Sequence, residues 1–179
     1  PKLKKAIVEK FRRENKLNYD LNQISVGAGG KQIIYNAMMA TINQGDEVII
    51  PAPYWVSYPD IVLLAGGNPI IIKCSENENF KIIPEKLKAS ITAKTKWLIL
   101  NSPSNPTGSC YSEKEIKSLA KVLIENKQVH ILSDDIYEHI IYGNFNFFTI
   151  AQIKELKDRT LTMNGVSKSY AMTGWRIGY

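Results

Sequence analysis

One lysine of the chain stands where an amine could do covalent chemistry. Lys168 lies among small and hydroxyl-bearing residues in the segment NGVSKSYAMTGWR, and Arg176 follows eight positions later. An amine in such a setting can form a Schiff base with a carbonyl compound, and an arginine can hold a phosphate through two parallel hydrogen bonds. Most lysines of a basic protein are solvated surface charges, so Lys168 needs partners elsewhere in the chain to be more than that.

A carboxylate and a phenol follow one of the apolar runs. Asp134 comes directly after the run 129–133, and Tyr137 stands three residues further on. A buried Asp can keep the ring nitrogen of a pyridoxal-type cofactor protonated, and a phenol can bond to an adjacent oxygen. Because side chains alternate along a strand, Asp134 and Asp135 should point to opposite sides, so that only one reaches the site. A solvated pair of loop carboxylates and a two-carboxylate hydrolase are the alternatives for this segment.

A glycine turn offers a place for a phosphate. Gly29 and Gly30 precede a helical pattern that starts at Lys31, so free backbone N–H groups and the positive end of the helix dipole face outward. A dinucleotide fingerprint that began at Gly27 would need glycine where Gln32 stands, and a P-loop would need Ser or Thr there. A tight connection with no ligand is the other interpretation of this turn.

Two further residues could contact a flat ring. Trp55 stands at the start of a predicted helix, where its side chain could stack on a heteroaromatic cofactor or lie half-buried in the core. Asn105 lies in the turn-rich segment NSPSNPTG, where it could donate a fixed hydrogen bond to a phenolate-like oxygen or serve only the turn.

The elements that must position these residues alternate along the chain. Apolar periodicity and turn residues predict helices at 2–14, 31–42, 55–65, 84–90 and 112–126, and strands at 23–26, 46–50, 69–73, 96–100, 129–133, 160–163 and 175–179. This alternation predicts a three-layer α/β/α fold with a mostly parallel sheet. Ligands of such sheets bind outside the carboxyl ends of the strands, so the glycine turn, the Asn105 loop, Asp134 and the lysine loop should meet there.

Composition excludes several other classes. The chain has 179 residues, 44% hydrophobic and 22% charged, with a formal net charge of +6. The basic residues are scattered, which argues against a nucleic-acid partner, and no apolar run approaches the length of a membrane helix. Cys74 and Cys110 lie far apart without metal-ligand spacing, and His130 and His139 complete no site, so no metal is expected. Reduced cysteines and the lack of a signal-peptide pattern predict a cytoplasmic protein.

The motifs taken together resemble the class I and II aminotransferases, pyridoxal-phosphate enzymes of the type I fold, and among them the bacterial aspartate aminotransferases. The resemblance covers the whole chain. It is carried by GGKQ at 29–32, PYWVSYP at 53–59, NSPSNPTG at 101–108, SDDIYEH at 133–139, SK at 167–168 and MTGWRIGY at 172–179.

The resemblance implies a role for each candidate residue. Lys168 would form the internal aldimine with pyridoxal 5'-phosphate and then move the proton of the substrate, with Asp134 and Tyr137 as its catalytic partners. The other cofactor-binding residues would be Gly29, Gly30, Trp55, Asn105, Ser167 and Arg176. The substrate would contact Lys31, through its distal carboxylate, as well as Trp55 and Asn105.

The same resemblance implies a reaction and a larger assembly. The expected activity is transfer of an amino group between L-aspartate, or a related amino acid, and 2-oxoglutarate, in a homodimer. A lyase or synthase of the same fold, a catalytically incomplete fragment and a non-enzymatic binding module are the alternatives. Pro1 opens directly onto a predicted helix and Tyr179 ends the chain inside a predicted strand, so residues 1–179 are expected to form an incomplete large domain. The resemblance implies that the missing part carries the arginine for the substrate α-carboxylate.

Overall fold

A five-stranded parallel sheet forms the centre of the computed structural model, which describes residues 1–179. The strands are β1 (Gly27–Ala28), β2 (Glu47–Ala52), β3 (Asn68–Lys73), β4 (Thr95–Asn101), β5 (His130–Asp134), β6 (Thr160–Met163) and β7 (Ile177–Gly178). The helices are α1 (Lys2–Asn15), α2 (Gly30–Thr41), α3 (Ser57–Leu64), α4 (Pro84–Ser90), α5 (Glu113–Glu125) and α6 (Lys154–Lys157). The sheet has the order β3-β2-β4-β5-β6, and β1 pairs with β7 in a separate antiparallel ribbon.

Helices cover both faces of the sheet. Successive residues of a strand point to opposite faces, so Ile49 joins one apolar cluster while Val48 and Ile50 join another. The first cluster contains side chains of α4, α5 and α6, and the second contains side chains of α2 and α3. This arrangement confirms the predicted three-layer α/β/α fold with a mostly parallel sheet.

The first helix packs outside these two layers. Ile7 and Phe11 of α1 form a third, smaller cluster with Leu17, Ile24 and Ala151. A capping box starts α5, since the amide of Glu115 donates to Oγ of Ser112 and the amide of Ser112 donates to the Glu115 carboxylate. No helix of the chain is long and apolar enough to cross a membrane.

The first and last predicted strands, 23–26 and 175–179, differ from the strands in the structure. The predicted strand 23–26 is wrong, because Leu21–Gln23 forms a 3-10 turn in which the side chain of Gln23 accepts from the amide of Asp20. The predicted strand 175–179 shortens to Ile177–Gly178, since Thr173–Trp175 is a 3-10 turn. Gly29 therefore reaches the site from the β1–β7 ribbon and not from the central sheet.

Candidate active site

One cleft gathers almost all of the residues that the sequence singled out. It has a volume of about 200 Å³ and lies at the carboxyl ends of β4, β5 and β6. Its lining comprises Gly30, Lys31, Ile34, Trp55, Tyr58, Asn101, Asn105, Asp134, Ile136, Tyr137, Met163, Ser167, Lys168, Thr173 and Arg176. The predicted convergence of distant segments is therefore present in the structure.

The glycine turn forms a narrow seat at one end of the cleft. Gly29 is the N-cap of α2 and has a φ of 86°, a value that glycine adopts more easily than other residues. A Cβ atom at Gly29 would overlap the guanidinium of Arg176, and one at Gly178 would overlap the backbone of Gly29 and Gly30. Gly29 does not line the cleft itself, but its lack of a side chain lets Arg176 lie against the first turn of α2. An anion placed here would meet the helix N-terminus and a guanidinium together.

Asp134 forms the buried, acidic side of the cleft. Asp134 is 4% exposed, and its carboxylate forms no ion pair and accepts hydrogen bonds from the hydroxyl of Tyr58 and, at 3.3 Å, from the amide of Ile136. Burial raises the pKa of Asp134 to about 6, and the two hydrogen bonds partly offset that rise. A buried carboxyl without a cationic partner is a fitting acceptor for a positively charged group of a ligand.

Asp135 points away from the cleft, as strand alternation predicted. One of its oxygens accepts from the hydroxyl of Ser133 at 2.7 Å, and the other has no hydrogen-bond partner. Burial raises its pKa to about 7, and the nearby charges of Glu138 and Asp134 add to the rise. The two neighbouring carboxyl groups thus occupy different environments, and Asp134 is the one that faces the cleft.

Two of the three cationic groups of the cleft lie over aromatic rings. Nζ of Lys31 is 5.1 Å from the ring centroid of Trp55, and Nζ of Lys168 is 5.9 Å from that of Tyr137. Burial and the charge of Asp134 both raise the pKa of the Tyr137 phenol, so it remains a hydrogen-bond donor at neutral pH. Lys168, Lys31 and Arg176 are solvent-exposed, so this side of the cleft is open and positively charged.

Two asparagines fix the loop after β4. Nδ2 of Asn101 donates to the backbone oxygen of Asp134 at 2.9 Å, and the amide of Asn105 donates to Oδ1 of Asn101 at 2.8 Å. Asn101 therefore connects the Asn105 loop to the end of β5. The side chain of Asn105 lines the cleft beside Tyr137.

Some lining residues were not predicted individually. Asn101 and Tyr58 belong to segments that carried the resemblance, but no pattern gave either a role of its own. Their hydrogen bonds join residues far apart in sequence, such as Tyr58 and Asp134, which is why spacing alone could not reveal them. Ser167 was predicted to bind the cofactor; it is buried and lines the cleft.

Comparison with known proteins finds aminotransferases at the level of family, sequence relatives and solved structures. The sequence profile of the family described as aminotransferase class I and II matches residues 1–179. The chain is 61% identical to the probable aspartate/prephenate aminotransferase of Rickettsia bellii, covering 100% of this chain and 45% of that protein. Among solved structures it resembles the aspartate aminotransferase of Rhizobium meliloti, with a TM-score of 0.98, 56% identity and coverage of 99% and 45% of the two chains. It also resembles the Thermus thermophilus aspartate aminotransferase with maleate, with a TM-score of 0.94, 43% identity and coverage of 99% and 46%.

The chain matches only part of the length of each of these relatives. The chain spans about 45% of the length of these relatives, while the relatives cover the whole of this chain. Identity of this degree along the full match, a family profile that covers every residue, and the agreement in fold all lead to the same assignment. The chain belongs to the class I and II aminotransferase family.

Proposed function

We propose that this chain is the cofactor-binding part of a pyridoxal-phosphate-dependent aminotransferase that moves an amino group between L-aspartate, or a related amino acid, and 2-oxoglutarate. One observation carries the proposal: Lys168 and the buried, unpaired carboxylate of Asp134 line a single cleft that ends at the first turn of α2 and Arg176. An amine, a carboxylate and an anion seat are the three groups that such a cofactor requires.

The residues of the cleft fit pyridoxal 5'-phosphate. The absence of side chains at Gly29 and Gly30 lets Arg176 and Met163 lie against the N-terminus of α2. Ser167 lines the same cleft as Arg176 and Gly30, so Gly29, Gly30, Ser167 and Arg176 would hold the phosphate. Asp134 would hold the ring nitrogen, because a protonated pyridine supplies the cation that the buried carboxylate lacks.

The remaining residues of the cleft would orient the cofactor and transfer the proton of the substrate. When bound, pyridoxal phosphate supplies an aldehyde that condenses with amines and a ring that accepts electron density from the substrate. Trp55 would stack against the ring, and Asn105 and Tyr137 would donate hydrogen bonds to its phenolic oxygen. The amine of Lys168 would accept the proton from the substrate Cα and return it at the next step.

Charge supports a dicarboxylic substrate. Lys31 lies in the same cleft, above the face of Trp55, and is free of any ion pair within the chain. We therefore assign it to the distal carboxylate of the substrate, with Trp55 and Asn105 as further contacts. The relatives named for both aspartate and prephenate support an amino donor or acceptor with a second carboxylate.

The proposed protein is a cytoplasmic homodimer in which residues 1–179 form most of the large domain. Exposed large apolar side chains support an interface, since Val56, Leu64 and Trp175 are 74%, 70% and 69% exposed. The α-carboxylate of the substrate would be bound by residues beyond this range, as the greater length of the relatives allows.

The test is a half-reaction with the full-length protein. Intact mass before and after borohydride reduction should show one cofactor fixed to a lysine, and the Lys168→Ala variant should show none. In a separate, unreduced sample, addition of L-aspartate should release one 2-oxo acid per cofactor and shift the absorbance of the cofactor. Continuous release of ammonia would identify a lyase, and failure of every amino acid tested to yield an oxo acid would refute the proposal.

A further inference from the structure

Tyr58 is a buried tyrosine that the predicted chemistry leaves without a role. It lies in the first turn of α3, is 2% exposed, and belongs to the apolar cluster between the sheet and the helices α2 and α3. Its hydroxyl donates to Oδ2 of Asp134, and its ring meets Trp55 edge to face at a centroid distance of 5.3 Å. Tyr58 thus contacts both the carboxylate and the ring that would hold the two sides of a bound heterocycle.

Burying the hydroxyl of Tyr58 costs desolvation free energy, and the hydroxyl contributes little to packing. Phenylalanine would fill the same apolar space, whereas a buried phenol must find a hydrogen-bond partner to avoid a desolvation penalty. In this chain the partner is the one carboxylate that faces the cleft. Burial and the charge of Asp134 hold the pKa of Tyr58 well above its ordinary range, so the phenol stays protonated and serves as the donor.

No other side chain in the cleft donates a hydrogen bond to the carboxylate of Asp134. The amide of Ile136 is the only other hydrogen-bond donor to the carboxylate of Asp134, and it bonds to the opposite oxygen at 3.3 Å. The titratable groups that line the same cleft are Lys31, Tyr137, Lys168 and Arg176, and none of them forms a hydrogen bond or an ion pair with Asp134. Asp135 lies on the far side of the strand, where its carboxylate bonds to Ser133.

We propose that Tyr58 is a positioning residue for the reaction, whose hydroxyl keeps Asp134 ionised and in one orientation so that the carboxylate can hold the protonated ring nitrogen of the cofactor. The inference rests on the role proposed above for Asp134. A hydrogen bond to the charged form of a carboxyl favours that form, so loss of the hydroxyl shifts ionisation of Asp134 to higher pH.

The experiment compares the full-length wild type with Tyr58→Phe, which keeps the ring and removes only the hydroxyl. Tyr54→Phe is the matched control, since Tyr54 lies in the same segment and packs against the same apolar cluster. The first measurement is titration of Asp134 in the cofactor-free protein by carbon-13 NMR of labelled aspartate. The second is the dissociation constant of pyridoxal phosphate as a function of pH, followed by quenching of tryptophan fluorescence.

Tyr58→Phe should raise the pKa of Asp134 by about one unit, which corresponds to a charge-assisted hydrogen bond. The acid limb of the binding profile should move to higher pH by the same amount, so that affinity falls about tenfold at pH values below the wild-type midpoint, while Tyr54→Phe leaves both curves unchanged. If Tyr58→Phe does not fold, 3-fluorotyrosine incorporated at Tyr58 gives the opposite test: the more acidic phenol should lower the pKa of Asp134.

The outcomes separate this inference from the function it rests on. If the wild type binds no pyridoxal phosphate at any pH, both are overturned. If the wild type binds and loss of the hydroxyl leaves either the titration or the binding profile unchanged, only the role of Tyr58 is overturned.

Discussion

Gly29 shows how one absent side chain can bring two distant segments into contact. The lack of a Cβ atom lets the guanidinium of Arg176 approach the N-terminus of α2, and the φ of 86° disfavours any other residue. Gly45 has almost the same φ, 87°, but nothing lies within 4 Å of the position of its missing Cβ atom. The two positions therefore share their backbone strain and differ in the contact with Arg176.

Alanine substitution should have different effects at Gly29 and at Gly45. Gly45→Ala should reduce the free energy of unfolding by about 1 kcal/mol through backbone strain alone and leave the affinity for pyridoxal phosphate unchanged. Gly29→Ala should cost more stability, because the methyl group also displaces Arg176, and should weaken cofactor binding at least tenfold. Denaturant unfolding and fluorescence titration of the full-length proteins measure both quantities. Equal affinity in the two variants would show that the Gly29 turn holds no phosphate.

Asp135 makes stability depend on pH. Its pKa in the folded protein is about 7, against 3.8 for an unperturbed Asp, so the folded state holds a proton between these values that the unfolded state has lost. The free energy of unfolding should therefore fall as the pH rises from about 4 to about 7, by about 1.4 kcal/mol for each pKa unit of difference, and then level off. Asp134 acts in the same direction, up to its pKa of about 6.

The Asp135→Asn variant distinguishes the contribution of Asp135 to this pH dependence from that of Asp134. Asparagine keeps the oxygen that accepts from Ser133 and cannot ionise, so this variant should be more stable than the wild type above pH 7 and should lose part of the slope between pH 4 and 7. Asp158→Asn, at an exposed position, is the control and should leave the slope as it is. Chemical unfolding of the cofactor-free protein across this range is the measurement. An unchanged slope in Asp135→Asn would contradict the assignment.

At the scale of elements, α1 is attached to the site by buried charges. Lys10 of α1 is 6% exposed and forms an ion pair with Glu138, which is 4% exposed and lies just after Asp134 and Tyr137. The other hydrogen bonds of the Glu138 carboxylate come from the side-chain amides of Asn15 and Asn164, each at 2.6 Å. Asn164 begins the lysine loop, so this network connects α1 to the two segments that carry Asp134 and Lys168.

Breaking this ion pair should be costly. Lys10→Met leaves the charge of Glu138 buried and unpaired, so we expect a loss of about 3–5 kcal/mol in the free energy of unfolding. Lys117→Met, which removes an exposed pair with Glu113 on α5, should cost less than about 1 kcal/mol. Adding Glu138→Gln to Lys10→Met should recover part of the loss, because the uncompensated charge disappears. Urea unfolding measures each step, and equal losses for the buried and exposed pairs would refute the role of the network.

The same element marks a limit of sequence reasoning. The periodicity of Leu3, Ile7 and Phe11 was sufficient to predict α1, since an amphipathic helix is a local feature. The ion pair of Lys10 joins residues 128 positions apart, so no spacing rule could distinguish this lysine from the exposed ones around it. Strand β1 was misplaced and strand β7 was predicted too long for a related reason: each has two residues and is defined by its partner across the chain.

The whole molecule explains why the cleft could be predicted although its hydrogen bonds could not. Parallel pairing of β4, β5 and β6 places Asn101, Asp134 and Met163 in register at one edge of the sheet, so the segments that follow these residues must meet. Five segments far apart in sequence then line a single cavity. A ligand that contacts all of them binds the folded chain and finds no equivalent site in the unfolded one.

Ligand binding should therefore stabilise the full-length protein by mass action. At a free pyridoxal phosphate concentration of one hundred times its dissociation constant, the free energy of unfolding should rise by about 2.7 kcal/mol. Pyridoxal without the phosphate should give a smaller rise at the same concentration, since it leaves the α2 N-terminus and Arg176 without an anion. Lys168→Ala should also reduce the gain, because the covalent contribution of the amine is lost, while Lys127→Ala, an exposed control, should behave as the wild type. Denaturant unfolding with each compound measures these differences, and equal stabilisation by the two compounds would contradict the phosphate seat on which the site is built.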